Sequence, residues 1–182
     1  MSKLHAMVDI ETLATSEDAA VIAIGLVPFD RDRVYGEDGV ELLISPNHAR
    51  GRADPATVRW WAGQEQGVFL RMLSGKASEP RTCEAVRAFF SEHEPGTLWA
   101  NSPSFDITIL RSLFERCGRG FPAHFRDERD CRTLFALARE LGISYSEAYE
   151  DATKHDALSD AIAQARAVQI ILQELHAWRA HV

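Results

Sequence analysis

Residues 20–28, AVIAIGLVP, form an apolar run with no polar side chain in it. A strand with one wet face alternates apolar and polar residues, whereas an unbroken β-rich run needs cover on both faces. The run is too short to cross a bilayer as a helix, which takes about 20 residues. The chain must therefore supply layers on both sides of a sheet. Two further strands flank the run. Residues 5–11, HAMVDIE, lead out of the N-terminus, and VELLIS at 40–45 follows a turn marked by Gly36, Asp38 and Gly39. Short links between the three indicate a meander.

Beyond residue 50 the periodicity becomes helical. Asp54-Pro55 is a helix start, followed by ATVRWWAG, and a second short helix covers 64–73. Residues 79–93 place Ala85, Val86, Phe89 and Phe90 at helical spacing. TLWA at 97–100 is a short strand. Ser104 is expected to cap a helix from Phe105 to Cys117, which turns Ile109, Leu110, Leu113 and Phe114 inward and ends at Gly118. Residues 130–141 form another helix, ended by Gly142. The last runs from about Asp156 to Trp178, with Leu158, Ile162, Ala165, Val168, Leu172 and Leu175 on one face. This order specifies an α/β fold, a mixed sheet flanked by helices. No repeat or linker interrupts it, so residues 1–182 read as a single domain.

The net charge of −7 argues against holding a polyanion by bulk charge. Of the 20 basic residues, 17 are Arg, whose forked guanidinium suits phosphate. Three cysteines, with no C-x-x-C pair, speak against a disulfide framework or a zinc knot and for a reducing cytoplasm. The opening MSKLHAMVDIETL has no apolar core of a secretory signal, and no apolar stretch reaches membrane length, so no membrane partner is expected.

Three places carry acids. Asp9 and Glu11 stand two apart in the first strand and so share a sheet face. Asp106 follows a strand and a turn, at a helix start. His155 and Asp160 form H-x-x-x-x-D at the entry of the last helix. Taken singly each is ordinary: an exposed edge strand, an acid complementing a helix dipole, a surface Asp beside a loop His. Taken together, each lies where a sheet end or helix start could converge. Carboxylates at 4 Å repel by about 4 kcal/mol per pair at an effective dielectric of 20, so such a cluster persists only with cations. All-oxygen ligands select Mg²⁺ or Mn²⁺.

MVDIET at 7–12, NSPSFDITIL at 101–110 and HDALSDAIAQA at 155–165 resemble the three motifs of the DEDDh 3′→5′ exonucleases, the group that includes proofreading exonucleases and ribonuclease T. AAVIAIGLVPFD at 19–30, TVRWWAGQ at 57–64 and RDERDCRTLFALA at 126–138 extend the likeness toward two groups. These are phage and prophage exonucleases of the exodeoxyribonuclease VIII type and actinobacterial 3′→5′ exoribonuclease-like proteins.

The resemblance implies a ribonuclease H-like fold, a five-stranded mixed sheet flanked by helices, with its fifth strand near 124–127. It implies hydrolysis of single-stranded DNA or RNA from a free 3′ end to nucleoside 5′-monophosphates, with two Mg²⁺ ions that Mn²⁺ can replace. Asp9, Glu11, Asp106 and Asp160 are the metal ligands of that pattern, and His155 is the general base. The related group with a Tyr base has it four residues before the last Asp, where this chain has Asp156. Thr12, Leu13, Asn101, Phe105 and Trp61 are the substrate-contact candidates. Adjacent Trp60 and Trp61 lie about 100° apart on a helix, so one is core and the other is free for a base. Arg129 and Arg132 flank Asp130 and are expected in ion pairs within the protein. Relatives commonly pair as homodimers, which leaves that state open here. Two rivals stand beside this reading. A haloacid-dehalogenase-type phosphatase opens with D-x-D rather than D-x-E, and a non-catalytic nucleic-acid-binding relative would not need all five residues.

Overall fold

The computed structural model describes residues 4–179, leaving the first three and last three positions of the expected domain outside the described residues. Five strands form one sheet: β1 His5–Thr12, β2 Val21–Phe29, β3 Val40–Leu43, β4 Thr97–Ala100 and β5 Glu128–Asp130. Their order is β3-β2-β1-β4-β5. The first three are antiparallel, and β1, β4 and β5 run parallel. The helices are α1 Pro55–Ala62, α2 Gln66–Leu73, α3 Glu79–His93, α4 Asp106–Arg116, α5 Cys131–Glu140 and α6 Ala157–Arg179.

All nine residues of β2 are buried, as the unbroken apolar run demands. Even-numbered residues of β1 (Ala6, Val8, Ile10) join a core with Val86 and Phe89 of α3 and Leu110 and Phe114 of α4. On the other face, Met7 of β1 and Val27 and Phe29 of β2 pack with Phe135 of α5 and Ala165 and Val168 of α6. A third cluster, around Ile22, Trp61 and Met72, seats α1 and α2 at one end of the sheet.

Three boundaries differ from the sequence reading. Residues 125–127 are a 3₁₀ turn, and β5 follows at 128–130, paired with Leu98–Ala100. A three-residue polar strand at a sheet edge carries no periodicity to read. Ser104 does not cap α4; its hydroxyl pairs with that of Ser102 at 2.8 Å, and the Asp106 N–H bonds the Ser102 carbonyl at 2.9 Å. The inward seam of α6 is also rotated. Ala157, Ala161, Ala165, Val168 and Ile171 are fully buried, while Leu158, Ile162, Leu172 and Leu175 flank them. Small residues line the seam because α6 lies almost in contact with the sheet.

That approach depends on Gly25. A Cβ there would stand 2.1 Å from the Ala157 carbonyl oxygen and 2.5 Å from the Leu158 nitrogen. Gly25 pairs directly with Asp9 across the β1–β2 ladder. Glycine inside a strand marks close backbone approach, and here it brings the start of α6 down beside Asp9.

Candidate active site

The carboxylates converge because three chain segments end at the same edge of the sheet. Asp9 and Glu11 lie on the β1 face that carries Met7, toward α5 and α6. Immediately after Glu11 the pairing with β2 shifts: Glu11 opposes Ala23, Thr12 opposes Val21, and Ile22 is passed over. Such a bulge bends the strand and re-aims the side chains beside it. The parallel strand β4 ends at Ala100, opposite Val8, and the turn after it delivers Asp106 at the head of α4. From the other face, the first turns of α6 deliver Asp160 and Gln164.

The loop before α6 is folded onto its own helix. His155 takes a left-handed conformation (φ 62°), and its N–H donates to Asp160 Oδ2 at 2.8 Å. The His155 ring meets Trp60 edge to face at 4.9 Å and Trp61 at 6.0 Å. Asp156 accepts from the Ser159 N–H at 2.9 Å and is gripped by Arg71 of α2, which also holds Glu41 of β3. One ligand atom from each of Glu11, His155 and Asp160 lies within 4.8 Å of the others.

The electrostatics are those of acids crowded without a counterion. Burial holds the Asp9 carboxyl well above its ordinary value, and the charges of Asp106, Glu11 and Asp160 add to this. Opposing them, Gln164 Nε2 donates to Asp9 Oδ1 at 2.7 Å. Glu11 is pushed up to about 8 by burial, then by Asp160, Asp106 and Asp156. Asp106, only 3% exposed, is raised to about 7 by burial, against the backbone N–H groups of Ile10 and Asn101 and the charge of Arg132. Asp160 is raised by burial, partly offset by the His155 N–H and the His155 and Lys154 charges.

Asp106 Oδ2 is buried with no hydrogen-bond partner among the described residues. An orphaned carboxylate oxygen costs free energy unless something polar or charged meets it. The donor set that surrounds it is all oxygen, apart from the His155 imidazole. These residues fit hard divalent cations of the Mg²⁺ or Mn²⁺ type: Asp9, Glu11 and Asp160 from one side, Asp106 from the other.

Beside the cluster a cavity of about 470 Å³ is lined by Glu11, Thr12, Asp54, Trp60 and Phe105, among others. Of the substrate candidates, Thr12, Phe105 and Trp61 border it. The Thr12 hydroxyl donates to the Ala14 carbonyl at 2.6 Å, and Leu13 packs on the α1–α2 core. Asn101 lies in the turn before Asp106 and accepts from Arg132 through its carbonyl at 3.4 Å. Trp61 is the core member of the tryptophan pair, not the free one. It is 1% exposed, stacks on Phe69, and donates through Nε1 to the Thr12 carbonyl at 2.9 Å. Its neighbour Trp60 is 46% exposed and presents to the cavity. Arg129 and Arg132 make no ion pair among the described residues; both donate to backbone carbonyls, and Asp130 caps α5 instead. Gln164 is not legible as a site residue on its own; the usable signal is its position one turn after Asp160.

The fold is shared with solved nucleases. Cell-death related nuclease 4 superposes with a TM-score of 0.71 at 16% identity, over 95% of this chain and 64% of that one. The nuclease domain of 3′hExo, a DEDDh family member bound to rAMP, gives 0.68 at 14% identity, over 95% of this chain and 93% of that one. E. coli exonuclease I, in its zinc-bound complex with single-stranded DNA, gives 0.70 at 17% identity, over 96% of this chain and 41% of that one. The chain thus spans less than two thirds of cell-death related nuclease 4 and less than half of exonuclease I. A comparison with curated protein sequences finds no match. The family model described as the Rv2179c-like 3′-5′ exoribonuclease domain matches residues 4–172, which include every carboxylate of the cluster, His155 and Gln164. The chain belongs to the Rv2179c-like 3′-5′ exoribonuclease domain family.

Proposed function

We propose that this chain removes nucleoside 5′-monophosphates from the 3′ end of single-stranded nucleic acid, with RNA as the substrate class its family description favours. The observation that carries the reading is the mutually repelling set of half-buried Asp9, Glu11 and Asp160 and fully buried Asp106, whose Oδ2 is unpartnered among the described residues. Two Mg²⁺ or Mn²⁺ ions bound there would polarise the phosphoryl oxygens and acidify a water. Asp9, Glu11, Asp106 and Asp160 would hold the ions. His155, beside Glu11 and Asp160, would take the proton of the attacking water at an imidazole nitrogen. Trp60 and Phe105 border the space for the departing nucleotide, with Thr12 at its floor. Family membership favours this reading over the phosphatase, and the presence of all five residues favours it over the binding module.

No helix among the described residues is long and apolar enough to cross a membrane. The cysteines are all unpaired, which supports a reducing cytoplasm as the compartment. Gel filtration tests whether the chain pairs as a homodimer, as the resemblance implies. The activity is tested with 5′-labelled linear and circular single strands of RNA and DNA, in Mg²⁺, Mn²⁺ or EDTA. A ladder of shortened linear products, metal-dependent and absent from Asp106→Asn, is expected. Rapid cutting of circles would defeat the exonuclease reading.

A further inference from the structure

The outer edge of the sheet, at β5, carries residues the catalytic cluster does not use. Residues 124–132 read HFRDERDCR. Phe125 is 64% exposed. The His124 ring lies against it at 4.4 Å, and the Arg126 guanidinium stands 5.6 Å from its ring centre. Arg126, Arg129 and Arg132 are all exposed, and none joins a carboxylate among the ion pairs of the described residues. Their placement is nevertheless ordered. Arg129 Nη1 donates to the carbonyls of Arg126 and Glu128 at 2.9 and 2.7 Å, and Arg132 Nη2 donates to that of Asn101.

The acids of the stretch are mostly engaged elsewhere. Glu128 pairs with Arg111, and Asp130 accepts from the first N–H groups of α5 and from the Thr133 hydroxyl. Asp127 and Asp130, whose bonds to neutral donors leave its charge in place, are left to offset three guanidinium groups. A chain of net charge −7 thus presents a positive, aromatic-bearing edge. That edge starts beside the catalytic cluster, because Arg132 donates to the carbonyl of Asn101 in the turn that leads to Asp106. From Asp130, level with Ala100, back to Phe125 the chain runs along β5 and then through one 3₁₀ turn, roughly 12 Å in all, the reach of a few nucleotides. Guanidinium groups suited to phosphate, interleaved with an exposed ring suited to a base, are the components of a sequence-tolerant single-strand platform.

We propose that the β5 edge, from Arg132 through Arg129 and Arg126 to Phe125, holds the single-stranded nucleic acid upstream of the bond to be cut. The arginines meet phosphates and Phe125 stacks on a base. This rests on the exonuclease reading and adds to it a preference for length: an oligonucleotide long enough to reach Phe125 gains interactions that a dinucleotide lacks.

The test compares wild type with Phe125→Ala and with the double variant Arg126→Ser/Arg129→Ser, all exposed positions away from the carboxylates. The substrates are a dinucleotide and a twelve-residue oligoadenylate RNA. For the longer strand, KM should rise about tenfold in each variant with kcat unchanged. The dinucleotide kinetics should not move. In the double variant the dependence of log KM on log salt should also become shallower by about 1.4, the slope carried by two neutralised phosphates of a single strand. Unchanged KM and salt slope for the long strand would overturn the proposal, as would an equal loss on both substrates. If wild type cleaves neither substrate with Mg²⁺ or Mn²⁺, the exonuclease reading itself has failed. Fluorescence anisotropy of the labelled strand in EDTA then decides the edge alone: weaker binding by the variants supports it and equal binding refutes it. Competition by poly-glutamate as effective as by the oligoadenylate would assign the edge to an acidic protein instead.

Discussion

Gln164 donates to Asp9: Nε2 stands 2.7 Å from Oδ1 and joins residues 155 apart in the chain. Gln164 is 6% exposed, so this amide is committed to the carboxylate rather than to water. The bond fixes one oxygen of Asp9 and draws its pKa down against burial and three acidic neighbours.

Gln164→Leu should therefore leave a folded protein that takes up metal poorly. Losing the group that orients a ligand typically costs 10- to 100-fold in metal affinity or activity. The measurement is the melting temperature as Mg²⁺ or Mn²⁺ is titrated without substrate. The variant's midpoint should move to higher metal by about that factor. An unmoved midpoint would remove Gln164 from any role in positioning Asp9.

Asp160→Asn should separate stability from activity. The amide oxygen can still accept from the His155 N–H, so the loop before α6 keeps its shape. One member of the repelling set can no longer ionise, so at alkaline pH, where Glu11 and Asp106 are deprotonated, the metal-free protein should gain about 1–3 kcal/mol after solvent screening. Activity should collapse. Mg²⁺ should raise the melting temperature of wild type more than that of the variant. A variant that melts lower than wild type in EDTA, with equal stabilisation of both by Mg²⁺, would mean that these acids do not form one site.

The metal-free protein should lose stability as pH rises. Glu11 and Asp106 have folded pKa values of about 8 and about 7, above the ordinary carboxyl range. The folded state then binds more protons than the unfolded chain from about pH 4.5 to 8, so stability falls across that window. A tenfold difference in proton affinity between the two states corresponds to about 1.4 kcal/mol. Metal must displace these protons, so Mg²⁺ affinity should climb over the same range. Melting curves in EDTA from pH 5 to pH 8.5 should descend, and excess Mg²⁺ should flatten the descent. A rise in EDTA would contradict the electrostatic account of the cluster.

Gly25→Ala should damage the site from behind. Its methyl would meet backbone atoms of Ala157 and Leu158, which cannot swing aside as a side chain can. The cost should exceed about 2 kcal/mol, typical of severe overpacking. Below its melting temperature the variant should also need more Mg²⁺ for stabilisation, because α6 carries Asp160 and Gln164 away from Asp9. Melting and metal titration of the same sample check both statements. A variant equal to wild type in both would show that α6 does not depend on this approach.

Much of this is legible from spacing. β2 declares itself by an apolar run with no wet face, and α4 and α6 by inward residues every three or four positions. Asp9 and Glu11 are readable as a pair because a strand repeats every two residues. What stays hidden depends on approach rather than on period. The α6 seam is rotated toward alanines because Gly25 lets a helix touch the sheet, and a strand pattern does not say what lies above a glycine. Trp61 rather than Trp60 is core because α1 faces Phe69 of α2, a contact between segments. β5 is three residues long and takes its register from β4. Gln164 looks like any polar helix residue until Asp9 is placed beneath it.

The order in which the chain emerges bears on when the site can exist. Asp9, Glu11 and Asp106 belong to the first 106 residues, but His155, Asp160 and Gln164 all ride on the start of α6. A nascent chain synthesised only as far as residue 150 holds all five strands, yet it lacks the groups that complete the cluster on its α6 side. If the cluster acts as proposed, hydrolysis waits on the docking of the final helix over Gly25.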